Sequence, residues 1–146
     1  MKKKIVGIII ILLVLIQFIQ PEKNQSKDYT NDISTELNIP QNVQKIIKTS
    51  CADCHSNYTV YPWYNNIAPV SWFLANHVNE GKEHLNFSEW TTYNTKQKNH
   101  IIKNLKEVIK ENEMPLTSYT LIHRDAILTE QQNTALLDWL NSIKKY

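Results

Sequence analysis

Hydrophobic positions change rhythm twice along this chain. From Ile5 to Gln20 (IVGIIIILLVLIQFIQ) sixteen residues pass without a charge. From Pro21 to Asn38 (PEKNQSKDYTNDISTELN) apolar side chains are sparse and follow no period. From Pro40 onward they recur at three- and four-residue intervals, as in helices with one buried face. Val43, Ile46 and Ile47 predict a short helix over about 41–50. Pro69 suits a first helical turn, after which Val70, Phe73, Leu74, His77 and Val78 form one stripe and Gly81 stands where a C-terminal cap belongs. Ile101, Ile102, Leu105, Val108 and Ile109 predict a helix over about 96–112, with Lys103, Lys106, Glu107 and Lys110 on its solvated side. Thr129 and Gln132 form a capping box for a last helix carrying Leu136, Trp139, Leu140 and Ile143. No stretch alternates as a strand does, and no internal repeat is visible. The expected fold class is all-α.

The charge-free run follows Lys2, Lys3 and Lys4, the layout of a signal peptide or signal anchor. Sixteen helical residues rise roughly 24 Å, slightly short of a hydrocarbon core of about 30 Å. No alanine precedes Ala52 to serve a signal peptidase, and no cysteine follows closely for lipidation. The expectation is therefore an uncleaved, single-pass anchor helix over 1–20, a flexible linker over 21–38 and a folded domain over 39–146. The lysines would keep the N-terminus in the cytoplasm and place the domain on the periplasmic, extracytoplasmic side of the cytoplasmic membrane.

Composition narrows the chemistry. With 146 residues the chain has room for one domain. Two glycines, Gly7 and Gly81, cannot build a phosphate loop or a dinucleotide fingerprint, and two cysteines cannot build a disulfide scaffold. The formal charge is +2, but it resides in the three leading lysines; without them 13 basic residues face 14 acidic ones, and the body is near −1. Nucleic acid is thereby removed as a default partner.

Both cysteines fall in Cys51-Ala52-Asp53-Cys54-His55, a C-x-x-C-H. Thiols three apart on one helical turn can each form a thioether with a haem vinyl group, and the next residue then offers an imidazole to the iron. Cys51 and Cys54 are thus candidate attachment sites and His55 the candidate axial ligand of one covalently bound haem c per chain. A thioredoxin-like pair would follow a strand, whereas an amphipathic helix precedes this one. A structural zinc would need a second ligand pair, which is absent. A plain disulfide leaves His55 without a purpose.

For the sixth iron position the candidate is Met114, the one methionine besides the initiator, in Glu113-Met114-Pro115. A thioether suits haem iron, and His/Met ligation raises its potential. His77 and His123 are the alternatives, and an open site remains a further one. Tyr58, Tyr61, Trp63, Tyr64 and Trp72 crowd the residues after the motif. Tyr61, Trp63, Tyr64 and Trp72 are candidate haem-pocket contacts, although aromatics also simply fill small cores.

The segments CADCHSNYTVYPWYNNIAPVSWFLANHVNEGKEHLNFSEW and EMPLTSYTLIHRDAILTEQQ resemble the small haem-binding domain proteins of the cytochrome c type. Those proteins pair C-x-x-C-H-S-N, Y-P-W-Y and P-x-S-W with a downstream M-P-x-x-x-Y-x-x-x-H. The likeness covers about residues 40–143. It implies a monohaem c-type helical domain attached through Cys51 and Cys54, with His55 and Met114 on the iron. It names no substrate. Since no Ser/His/Asp set or carboxylate pair is recognisable, the expected function is a membrane-tethered electron carrier serving an unidentified redox partner, with no small-molecule substrate identified. The alternative is a haem enzyme or sensor whose sixth ligand exchanges for peroxide or a diatomic gas.

Overall fold

The protein is described by a computed structural model covering residues 2–144 and 146. Among the described residues seven α-helices follow one another: α1 (Lys2–Leu15), α2 (Gln41–Ser50), α3 (Ala52–His55), α4 (Val70–His84), α5 (Thr95–Lys110), α6 (Thr117–Thr120) and α7 (Glu130–Ser142). Short 3₁₀ turns lie between them, and no strand occurs among the described residues. The all-α expectation holds.

Three amphipathic helices build the core. Val43, Ile46 and Ile47 from α2, Ile101, Ile102 and Ile109 from α5, and Leu136, Trp139 and Leu140 from α7 pack into one apolar cluster with Leu85, Phe87 and Trp90. The period of three and four puts each set on one face, and burying those faces together is what stabilises helices of this length. Trp90 is fully enclosed, 0% exposed, in the 3₁₀ turn Phe87–Thr92. Both α5 and α7 start with complete capping boxes, Asn94 with Gln97 and Thr129 with Gln132. Each box satisfies two otherwise orphaned backbone donors. Replacing Asn94 by alanine is expected to lower stability by about 1 kcal/mol, read as a shift of the urea midpoint with the slope unchanged.

Helix α4 follows its predicted stripe only in part. Val78 is buried and Leu74 and His77 are half-buried as expected, but Val70 and Phe73 are exposed and Ser71 is buried instead. Small residues on the inward face let the helix approach α3 closely. Gly81 belongs to that face. It lies inside the helix, not at its end, and its φ is not positive, so it is not a left-handed cap. A Cβ at Gly81 would come within 2.6 Å of the Cys54 carbonyl oxygen. The glycine is there for proximity.

The N-terminal segment corrects the expectation of a membrane anchor. Helix α1 ends at Leu15 after 14 residues, roughly 21 Å of rise. No helix among the described residues is long and apolar enough to cross a membrane. Beyond Leu15 the chain tightens into a 3₁₀ turn over Ile16–Phe18, where Gln17 binds the domain. The Gln17 amide accepts from Ala68 N at 2.9 Å and donates to Ala68 O at 3.0 Å. The Trp72 indole donates to Ile19 O at 2.7 Å. With the span goes the argument that assigned the domain to the periplasmic side.

Residues 21–38, read from sequence as a linker, lie along the domain. Gln25 forms an antiparallel bridge with Tyr58, flanked by Ser26 N to Asn57 O and Thr59 N to Asn24 O. Asn31 pairs with Thr91, and Ile33 is buried in the core. The segment lacks helical period because it binds largely through polar side chains and backbone.

Candidate functional site

A cavity of about 810 Å³ opens between α3, α4, α5 and the stretch after α5. Its walls are largely apolar, with Leu85, Phe87, Ile101, Leu105, Val108 and Leu136 among them. Such a volume and lining fit a large apolar ligand held by a few polar groups. Cys51, Cys54, His55, His77 and Met114 all line it. One cavity therefore collects the two thiols, the adjacent imidazole, the candidate sulfur ligand and one rival histidine.

Helix α3 is a single turn whose geometry arises from local hydrogen bonds. Cys51 O accepts from Cys54 N at 3.2 Å and His55 N at 3.0 Å. Asp53 clamps the following loop: its Oδ1 accepts from Val60 N at 3.0 Å, and its carbonyl accepts from the Thr59 hydroxyl at 2.6 Å. Asn24 Nδ2 reaches both Ser56 O and Thr59 Oγ1. The turn is tied from both sides by the protein's own polar groups.

His55 Nδ1 lies 3.0 Å from Leu85 O. Only an N–H can bond to a carbonyl, so Nδ1 carries the proton and Nε2 keeps its lone pair. Burial moves the His55 pKa below its usual value, with His84 adding to the effect and the carbonyls of Leu85 and Gly81 opposing it. A neutral ring with a fixed tautomer is what a metal-ligating histidine requires.

The thiols are shifted the other way. Cys51 is pushed up to about 12 by loss of hydration and then by the neighbouring Cys54, and Cys54 to about 11 by burial and the negative Asp53. Both are free and protonated near neutral pH. A dithiol redox pair depends on a lowered thiol pKa, so this environment is unfavourable to that chemistry. Nor do the described residues contain a group of three or more His, Cys, Asp or Glu side chains able to hold a metal ion.

The aromatic candidates lie elsewhere. Trp63, Tyr61, Tyr64 and Trp72 do not line the cavity. Trp63 is 78% exposed, Tyr61 accepts from Asn24 N, and Trp72 is occupied by Ile19. Ring count in the sequence carries no information about direction, and these rings cover the N-terminal segment and the surface. His123 is likewise outside the cavity wall; its ring stacks on Tyr119 at 4.3 Å, and its Nε2 lies 3.4 Å from the Tyr64 hydroxyl.

Three contributors carry no role that the sequence assigns. Tyr119 lines the cavity and donates to Asp53 Oδ2 at 2.8 Å. Burial, then the hydrogen bond to the Asp53 carboxylate and its charge, raise the Tyr119 pKa far above the ordinary phenolic range, so it stays a donor. Asp53 is the second partner, and the Leu85 carbonyl is the third. Tyr119 and Asp53 both stand inside the phrases that carry the resemblance, but the pairing spans 66 residues. A backbone carbonyl leaves no sequence signal at all.

A family model described as a haem-binding domain matches residues 11–142. The match begins within α1 and takes in the strap of residues 21–38. Comparison with curated proteins and with solved structures finds no match.

Proposed function

The chain belongs to the haem-binding domain family, and from that premise we propose a monohaem c-type domain that carries electrons. The observation that carries this reading is the shared cavity. It brings together the C-x-x-C-H turn, Met114 and an apolar enclosure large enough for a macrocycle. Cys51 and Cys54 would hold the group by adding their S–H bonds across its two vinyl groups, sulfur to one carbon and hydrogen to the other, so no oxidant is consumed. His55 would offer Nε2 to the iron while Leu85 O keeps its other nitrogen protonated. Met114 would supply a second ligand from the loop between α5 and α6.

The bound group supplies one-electron exchange between ferrous and ferric iron. The protein's own task would be to hold His55 and Met114 in place and to keep water away. Leu105, Val108 and Leu136 line the cavity with apolar surface suited to that. Two protein ligands on the iron would favour outer-sphere transfer over substrate binding. His77 lines the same cavity and is the competing ligand.

The test is the optical spectrum of the haem-loaded protein before and after acidified organic extraction. Colour remaining with the polypeptide, and lost in a Cys51→Ser/Cys54→Ser double variant, is the expected result. Met114→Ala should change the ferric spectrum and lower the reduction potential. Complete extraction from the parent chain would overturn covalent attachment. A Met114→Ala spectrum identical to the parent, with His77→Ala altering it instead, would give the sixth position to His77.

A further inference from the structure

The stretch that presents Met114 has little of its own to hold it. Helix α6 is one turn, and Leu116, Leu121 and Ile122 around it are exposed. Backbone hydrogen bonds from residues 119–123 run back to Leu116, Thr117 and Tyr119, inside the same stretch. Its start is tied to α5, where Glu113 N donates to Val108 O at 2.9 Å, but along residues 116–123 neither apolar burial nor a backbone ladder fixes it to the rest of the domain.

Tyr119 is the exception. Its side chain turns into the cavity wall, and its hydroxyl donates at 2.8 Å to Oδ2 of Asp53, the residue that separates Cys54 from Ala52 on the haem-binding turn. The other Asp53 oxygen is already committed to Val60 N. Behind Tyr119, the His123 ring stacks at 4.3 Å with an interplanar angle of 14°, and Tyr64 stands within 3.4 Å of His123 Nε2. The aromatic stack keeps the phenol from swinging outward. A single charge-assisted hydrogen bond thus joins the methionine loop to the turn that bears His55.

We propose that the Tyr119–Asp53 hydrogen bond is a latch that holds the Met114 loop closed over the cavity and sets how firmly its sulfur stays on the iron. The inference rests on the reading of Met114 as axial ligand. Tyr119 is a positioning residue, acting on the iron through the loop and not by touching it. The latch closes one face of the site against the other, so loosening it raises the fraction of molecules in which a foreign ligand can enter.

The experiment uses the haem-loaded full chain and added imidazole as the competing ligand, with the sulfur-to-iron charge-transfer band as the spectroscopic reporter. Tyr119→Phe removes only the hydroxyl. It should keep haem attachment and bind imidazole about 10-fold more tightly, the scale expected for losing one hydrogen bond to a charged acceptor. Asp53→Asn, which keeps an acceptor without the charge, should fall between that variant and the parent. Adding it to Tyr119→Phe should change little further, because the two act through one bond. Tyr93→Phe is the control: its hydroxyl accepts from Asn86 N at 2.9 Å, away from the methionine loop. It should reduce stability without moving imidazole affinity. Imidazole affinity in Tyr119→Phe within twofold of a parent that shows the sulfur band would overturn the latch and leave Met114 as ligand. An equal shift in Tyr93→Phe would also overturn it, as general loosening. A parent without the sulfur band would remove the Met114 reading, and the latch with it.

Discussion

Gly81→Ala is expected to destabilise the protein by roughly 1–3 kcal/mol, the usual range for overpacking a close contact, and to cut haem incorporation sharply. The added Cβ would lie 2.6 Å from Cys54 O, 3.0 Å from Cys54 Cβ and 3.2 Å from Cys54 C. None of these is the tip of a flexible chain. Relief requires α4 to move away from α3, and the atoms displaced first are those that place Cys54 and His55. Helix propensity works in the opposite direction, since alanine is favoured over glycine by about 1 kcal/mol in a helix interior. The sign of the net effect therefore measures how rigid the α3–α4 contact is. Gly7→Ala supplies the contrast: nothing lies within 4 Å of its added Cβ, so the propensity gain should appear undiminished. Thermal unfolding and covalent haem yield check both. A Gly81→Ala protein as stable as the parent, with full haem, would show that the helices yield freely.

The reach of the sequence differs from element to element for physical reasons. Helices α2, α5 and α7 are legible because long aliphatic side chains at helical spacing have only one place to go. Helix α4 is legible as a helix but not in its orientation. Its buried residues are Ser71 and Val78, with the half-buried Gly81 against α3, while Val70 and Phe73, which a hydrophobicity count favours, look outward. Closeness to α3 governs that face, and closeness selects small residues.

The N-terminal segment shows a different limit. Its composition specifies an apolar helix, and α1 is one, with Ile5 and Ile8–Leu15 all 50–60% exposed. Just past its end stands Gln17, whose amide pairs with a backbone 51 residues away. Nothing local announces such a pairing. The five residues of the C-x-x-C-H motif stand out as a candidate site for the opposite reason, since the chemistry expected of them lies at adjacent positions. The contacts that orient them, Leu85 O to His55 and Tyr119 to Asp53, are long-range and do not.

Removing Glu36 is expected to cost about 1–2 kcal/mol, between the values for an exposed and a buried ion pair, because Lys98 is buried but Glu36 itself is exposed. Lys98 is only 7% exposed, and its Nζ lies 2.6 Å from Glu36 Oε2. Without Glu36 the ammonium keeps the faces of Tyr146 at 4.9 Å and Trp90 at 6.0 Å, which offset part of the loss. Lys98→Met should cost less, because Glu36 is the more exposed partner and can rehydrate. Combining Glu36→Ala with Lys98→Met should recover most of the stability lost in Glu36→Ala alone, since no unpaired charge is left behind. Burial opposes ionisation of Glu36, but hydrogen bonds and charge from Lys98, with Tyr146 and Trp90, outweigh it and hold the carboxyl below its ordinary value of 4.5. A folded pKa lower than the unfolded one means that the pair's contribution is fully present above about pH 4.5. It is lost as the pH falls through the folded value. Urea unfolding between pH 7 and pH 3 should show that loss in the parent and a shallower one in Lys98→Met. Parallel profiles for the two proteins would mean that the pair contributes nothing to acid stability. The strap over 21–38 would then owe its place to Ile33 and its polar contacts alone.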